Sequence, residues 1–241
     1  MNIITLFLFI FTGLQAGELP KPPLQSTDSY KTLENPGGSE IINDWITIHL
    51  EIIESCKIPS HHNRQLAYTG IAMYESIVAG DKNYRSLAGQ LNGYQQPLLL
   101  PGTDNICWPA SANSAISAML RFFYPQNPVD IIRIDSLENV WVQRLISEGN
   151  SEASVLKGKK YGSQVALAVI NWSKTDGDDK ANGVYSLPKE TGLWEPTPPM
   201  FIPPIMPFLG NERTMVKGSI DNTMPPPPTS FSTESQSLST K

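Results

Sequence analysis

The run Asn127-Pro128-Val129-Asp130-Ile131-Ile132-Arg133-Ile134-Asp135-Ser136-Leu137-Glu138-Asn139-Val140-Trp141-Val142-Gln143-Arg144-Leu145-Ile146-Ser147-Glu148-Gly149 decides the fold class. Its large apolar side chains recur three and four residues apart, the spacing of one face of an α-helix. Pro128 is well placed at a first helical position after Asn127, because proline has no N–H to leave unsatisfied there. Gly149-Asn150 is a matching stop. A long helix is therefore predicted from Pro128 to Gly149.

The same pattern extends in both directions. On the N-terminal side, Ser111 to Phe123 is predicted to form a helix that Pro125 stops, with small residues at its start and bulky Phe122 and Phe123 at its end. A helix from about Ser60 to Val78 carries Leu66, Ile71, Met73, Tyr74 and Ile77, and its small Ala67, Gly70 and Ala72 permit close approach of a neighbour. Before it, Ser39 is a plausible N-cap for residues 40–53. The isoleucines there resemble a strand signal, but the length and the polar residues at 43, 44, 47, 51 and 54 favour helix, ended before Pro59. On the C-terminal side, a further helix begins near Ser151, carries Val155 through Trp172, and ends before the Asp/Gly cluster 176–183. Residues 81–108, interrupted by Gly89, Gly93, Pro97, Pro101 and Gly102, are predicted to be an irregular connection with a short helical turn. Five helices without convincing strands give an all-α fold, a helical bundle whose apolar faces cover one another.

Both ends differ from this middle. Residues 1–17 hold the apolar stretch Ile3 to Phe11 and then small residues, too short for comfortable spanning of a bilayer and similar to a secretory signal. An uncleaved anchor or a buried element are the alternatives, because a charged n-region is missing apart from the amino terminus. Cleavage near Gly17 would leave no stable transmembrane domain and a secreted or periplasmic protein. Residues 18–38 are irregular, 39–183 form the helical domain, and 184–241 form a Pro-rich wrapping segment and tail, with ten prolines between Pro196 and Pro228.

The chain has 241 residues, enough for a full core, and a formal net charge of -5. Its cations are too few and scattered to track a phosphate backbone, so nucleic acid is not an expected partner. Cys56 and Cys107 are able to pair in an oxidising compartment, or to remain as two buried thiols.

Candidate chemistry is sparse. His61 and His62 are adjacent, and consecutive helical positions do not face one site; His49 is the only other imidazole. They read first as ordinary helix-start or surface histidines. Asp176, Asp178 and Asp179 around Gly177 fail the calcium-loop spacing at Lys180 and Ala181, which leaves a polar turn as the main expectation. Asn171-Trp172-Ser173 fits the glycosylation pattern but falls at a helix end. Arg64 and Arg213 lack the cationic company of a phosphate clamp, and structural pairing or solvent exposure is the default for each. No phosphate loop, HExxH or GxSxG motif is present.

Arg64-Gln65-Leu66-Ala67-Tyr68-Thr69-Gly70-Ile71-Ala72-Met73-Tyr74-Glu75-Ser76, together with Gly192-Leu193-Trp194-Glu195-Pro196-Thr197-Pro198-Pro199, resembles secreted bacterial vanadium-dependent haloperoxidases. These belong to the type 2 phosphatidic acid phosphatase/haloperoxidase superfamily. The resemblance covers about residues 35–235 and includes the Asp176-Gly177 turn and Pro207-Phe208-Leu209-Gly210. It implies an incomplete haloperoxidase-like helical bundle with an irregular Pro-rich C-terminal segment: in the family a helical N-terminal half packs beside a second half that carries the oxyanion site. That site uses a lysine, arginines, a histidine in a Ser-Gly-His motif and a later histidine around phosphate or vanadate. Ser60-His61-His62 departs from this motif and lies at the opposite end of the order. No catalytic, cofactor-binding or metal residue is therefore carried over. The expected function is that of a truncated N-terminal structural portion without oxyanion catalysis of its own, with a missing C-terminal half or another helical protein as partner. No cofactor is expected for this chain, and vanadate only for a complete haloperoxidase homologue. The alternative is an independent secreted helical binding or assembly module.

Overall fold

The computed structural model of the protein describes residues 38–56, 62–95, 105–190 and 192–226. The expected signal at 1–17, nearly all of the irregular segment 18–38, and His61 lie outside the described residues. Five long helices are present among the described residues: α1 Gly38–Ser55, α2 His62–Ile77, α3 Trp108–Phe123, α4 Pro128–Ser147 and α5 Glu152–Ser173. A five-residue helix, α6 Ser219–Thr223, follows them in the chain. Short 3₁₀ turns occupy Val78–Gly80, Asp178–Lys180 and Leu209–Asn211, and no strand occurs among the described residues.

Local chemistry sets the boundaries. Pro128 opens α4 as expected, and the Asn127 side chain accepts from the Val129 N–H at 3.1 Å and caps the helix. Helix α3 begins at Trp108, three residues before the expected Ser111, because Pro109 is tolerated in a first turn where its missing N–H has no helical acceptor. Residues 81–95 form turns and bends, as their glycines foretell.

The described residues divide into two compact units, the first drawn from 1–88 and 94–171 and the second from 89–93 and 172–241. In the first, α2 packs along α3, α3 along α4, and α1 against α3 and α4. The core joins Ile41, Trp45 and Ile52 of α1 to Met73 of α2, Ile116 and Leu120 of α3, and Ile134 and Trp141 of α4. Burying each large side chain contributes about 2 kcal/mol. Only a narrow stripe of α4 is fully buried: Ile134, Trp141 and Leu145 are inside, while Val129, Ile132 and Val140 face outward despite their apolar character. Helix α5 meets the start of α3 so closely that a Cβ on Gly162 would lie 2.0 Å from the Ser111 carbonyl oxygen, and one on Gly158 would lie 2.3 Å from that of Cys107. Both glycines are therefore contact surfaces.

The second unit is built differently. Beyond the last turn of α5 it contains turns, two 3₁₀ turns and α6. Among its described residues Leu91, Trp172, Ser173, Asp176 and Ala181 are buried, and none of those described between 182 and 226 is.

Candidate functional site

Polar groups converge at three places in the first unit. The one that gathers histidines links α1, α2 and the end of α3. The His49 Nε2 lies 3.0 Å from the Tyr124 hydroxyl, which donates to Gln65 Oε1 at 2.7 Å. His62 Nδ1 lies 3.2 Å from the same Gln65 oxygen. Tyr124 has a single proton and directs it to Gln65, so His49 donates from Nε2 to the tyrosine oxygen, and His62 donates from Nδ1. The His49 ring also meets Tyr124 edge-on. Burial first, and then the neighbouring His62, hold the His49 pKa down to about 4. This imidazole is neutral at pH 7, with Nε2 engaged. Burial raises the Tyr124 pKa.

Two buried carboxylates form the other convergences. Glu75, only 3% exposed, accepts from Ser86 Oγ at 2.8 Å and from the Leu87 N–H at 2.6 Å, tying the 81–88 connection to α2. Desolvation raises its pKa against the lowering effect of these bonds. Glu138 pairs with Arg121 and with Lys159 at 3.3 Å, and its carbonyl accepts from Asn113, whose Oδ1 in turn accepts from the Trp45 indole at 2.8 Å. Sequence reading missed both groups. The signal for Glu138 is its place in the series Ile134, Glu138, Trp141, Leu145, the buried stripe of α4.

The second unit centres on Arg213. Its guanidinium stacks over Trp172 at 4.5 Å and donates to the carbonyls of Asn92 at 2.6 Å and Trp172 at 2.9 Å. Its own N–H donates to the Asp176 carbonyl at 2.8 Å. Asp176 Oδ1 accepts from the Asp178 N–H at 3.1 Å, and Gly177 takes φ of 97°, the left-handed conformation that opens the following 3₁₀ turn. The Asp cluster is thus the polar turn its sequence favoured. Of the sequon, Asn171 is exposed, whereas Ser173 is fully buried in the helix end.

Arg64 lies over the rings of Tyr68 and Phe123, at 5.0 and 5.6 Å, a packing role. Cys56 and Cys107 are both free thiols; Cys56 is exposed and Cys107 buried, so neither the disulfide nor the pair of buried thiols describes them. Burial raises the Cys107 pKa.

A tetrahedral oxyanion requires several converging cations and an available imidazole. The imidazole and arginines placed above do not converge in that way. His49 is buried and engaged, Arg64 is stacked, Arg213 donates to carbonyls, and Arg121, Arg133 and Arg144 pair with carboxylates. No group of three or more His, Cys, Asp or Glu able to hold a metal exists among the described residues. No described helix is long and apolar enough to cross a membrane.

The described residues form an all-helical fold, followed in the chain by a segment rich in proline of which no described residue is buried between 182 and 226. The chain is similar to the crystal structure of the first bacterial vanadium-dependent iodoperoxidase, with a TM-score of 0.68 and 28% identity over 83% of this chain. The match covers 48% of that chain, so this protein spans about half the length of the structure it matches. The chain is therefore a distant structural homologue of a bacterial vanadium haloperoxidase. No protein-family profile matches it, and no curated protein does so.

Proposed function

We propose that this chain acts as the N-terminal structural portion of a haloperoxidase- or acid-phosphatase-like protein and is catalytically silent alone. The observation that carries this reading is the unequal coverage: 83% of this chain corresponds to 48% of the iodoperoxidase. The cations and imidazoles described here are consistent with it, because they hold the bundle together instead of converging on an oxyanion. In this reading a complementary helical half supplies the cationic pocket, and either phosphomonoester hydrolysis or peroxide-dependent halide oxidation belongs to the assembled whole. The apolar leader favours secretion or a periplasmic site of action.

Calorimetry with phosphate and with vanadate, alongside assays of phosphomonoester hydrolysis and iodide oxidation, tests the proposal. No tight anion binding and no turnover are expected from the purified chain. Tight binding with turnover would overturn it. A second reading, an independent helical binding module, draws on the core of the first unit and its Trp45–Asn113–Glu138 network. A monomer that unfolds cooperatively and is indifferent to any haloperoxidase-like half would favour that alternative.

A further inference from the structure

Residues 184–224 carry twelve exposed large hydrophobic side chains, yet none of the residues described between 182 and 226 is buried. Scattered apolar residues are common on surfaces, but here Leu187, Trp194 and Phe201 line one groove of about 530 Å³ with Pro188 and Pro196. Trp194 is 55% and Phe201 60% exposed. The Phe201 N–H donates to the Thr197 carbonyl at 3.0 Å, closing the turn that returns the second ring to the groove. Phe201 has φ of 46°, a conformation unfavourable for a residue with a Cβ, and its ring gains no burial within the unit to compensate.

We infer that this Leu187–Trp194–Phe201 groove seats an apolar helix from the complementary half of a haloperoxidase-like protein. The inference rests on the reading given under Proposed function and specifies the surface that the partner takes. Three observations select this occupant. The similar solved chain contains as much polypeptide again as the portion matched here, and the shared fold is helical. Glu190 and Glu195 against the single Lys189 give the groove an acidic rim, which suits a helix carrying Lys or Arg beside large aliphatic residues. Residues 227–241 are a poor alternative: after Pro227 and Pro228, Phe231 and Leu238 are their only large apolar side chains. Exposed tryptophan and phenylalanine in a concave setting are the anchors that dominate such interfaces.

The test uses the full chain and, as probe, the portion of the bacterial iodoperoxidase that this chain does not match, prepared as a separate polypeptide. Titration calorimetry and backbone hydrogen exchange provide the readouts. Binding is expected, with exchange slowed across residues 193–201, and Trp194→Ser or Phe201→Ser should raise Kd by about tenfold or more. Ile132→Ser, on an exposed face of α4, should change it less than about twofold. Equal binding by parent and groove variants would overturn the inference while leaving the broader reading intact, and failure of the probe to bind would overturn it too. Protection of 193–201 in the isolated monomer would assign the groove to the chain's own tail, and self-association lost in Trp194→Ser would assign it to a second copy. Either result overturns the inference. The broader reading falls instead if the chain alone binds phosphate or vanadate tightly and turns substrate over.

Discussion

The two units of this chain use the same side-chain chemistry in opposite ways. In the first, apolar stripes of α1 to α4 meet, and several polar groups caught between them pair across helices: Trp45 with Asn113, Asn113 with Glu138, His49 with Tyr124. In the second, residues 182–226 place tryptophan, phenylalanine, isoleucine and methionine on the outside. Helical periodicity allows distant residues to share a face and build a core. A proline-punctuated chain provides no such face, so its apolar residues remain a surface until something covers them.

The sharpest way to break the first unit is to disturb the approach of α5 to α3. Gly162→Ala places a methyl against the Ser111 backbone, which cannot swing aside as a flexible side chain would. A loss of about 3 kcal/mol or more is expected in denaturant unfolding. A change below about 1 kcal/mol would show that this helix contact relaxes freely.

Acid provides a second means. The His49 pKa falls from 6.5 to about 4 on folding, so the unfolded chain takes up this proton first as the pH drops. The stabilisation from neutral, buried His49 is complete above pH 6.5 and is lost progressively towards pH 4, amounting to about 3 kcal/mol. Glu75 acts in the other direction: its raised pKa means that protonation on acidification relieves the burial of a charge. His49→Gln keeps an amide N–H for the Tyr124 oxygen and removes the titration. Stability curves of parent and variant should therefore converge from pH 7 to pH 4, and parallel curves would contradict the assignment.

The second unit should yield locally. Arg213→Ala removes the donors to the Asn92 and Trp172 carbonyls and the stacking on Trp172. A local loss of roughly 1 to 2 kcal/mol is expected, visible as faster proteolysis and hydrogen exchange within 172–226. The main thermal transition of the first unit should move by less than about 2 °C. A large shift of that transition would show that the two units unfold together.

Much of the first unit was legible because burial there follows a period that the sequence displays. All five long helices were foreseen, and Asn127-Pro128 marked the start of α4 to the residue. Apolar character alone overstates burial: Val129, Ile132, Leu156 and Leu167 are apolar and exposed, since a helix buries one stripe regardless of what its other faces carry. The polar interior was harder to read. Glu75 and Glu138 sit at buried positions among apolar neighbours, and only the angular position of a carboxylate within its stripe distinguishes it from a surface charge. His49, Gln65 and Tyr124 come from three separate segments, so their meeting depends on helix packing and no local spacing encodes it. In the second unit Gly177 and the Asp turn were legible from local chemistry. The stacking of Arg213 on Trp172 was not, because the two stand 41 positions apart with no helical period to relate them.

The smallest expected effect carries the most information about the comparison. Trp194→Ser removes one of the largest side chains in the protein, and a buried tryptophan would cost about 3 to 5 kcal/mol on truncation. Trp194 instead lies more than half exposed in an open groove, so the isolated chain should lose less than about 0.5 kcal/mol. Trp141, 1% exposed at the centre of the first unit, should show the full penalty when changed to Ser, since it also loses its indole bond to Asp44 at 3.1 Å. The ratio of the two losses, measured in one denaturant series, therefore reports where this fold is closed and where it is open. A Trp194→Ser penalty approaching that of Trp141→Ser would mean that the groove is already filled in the isolated chain.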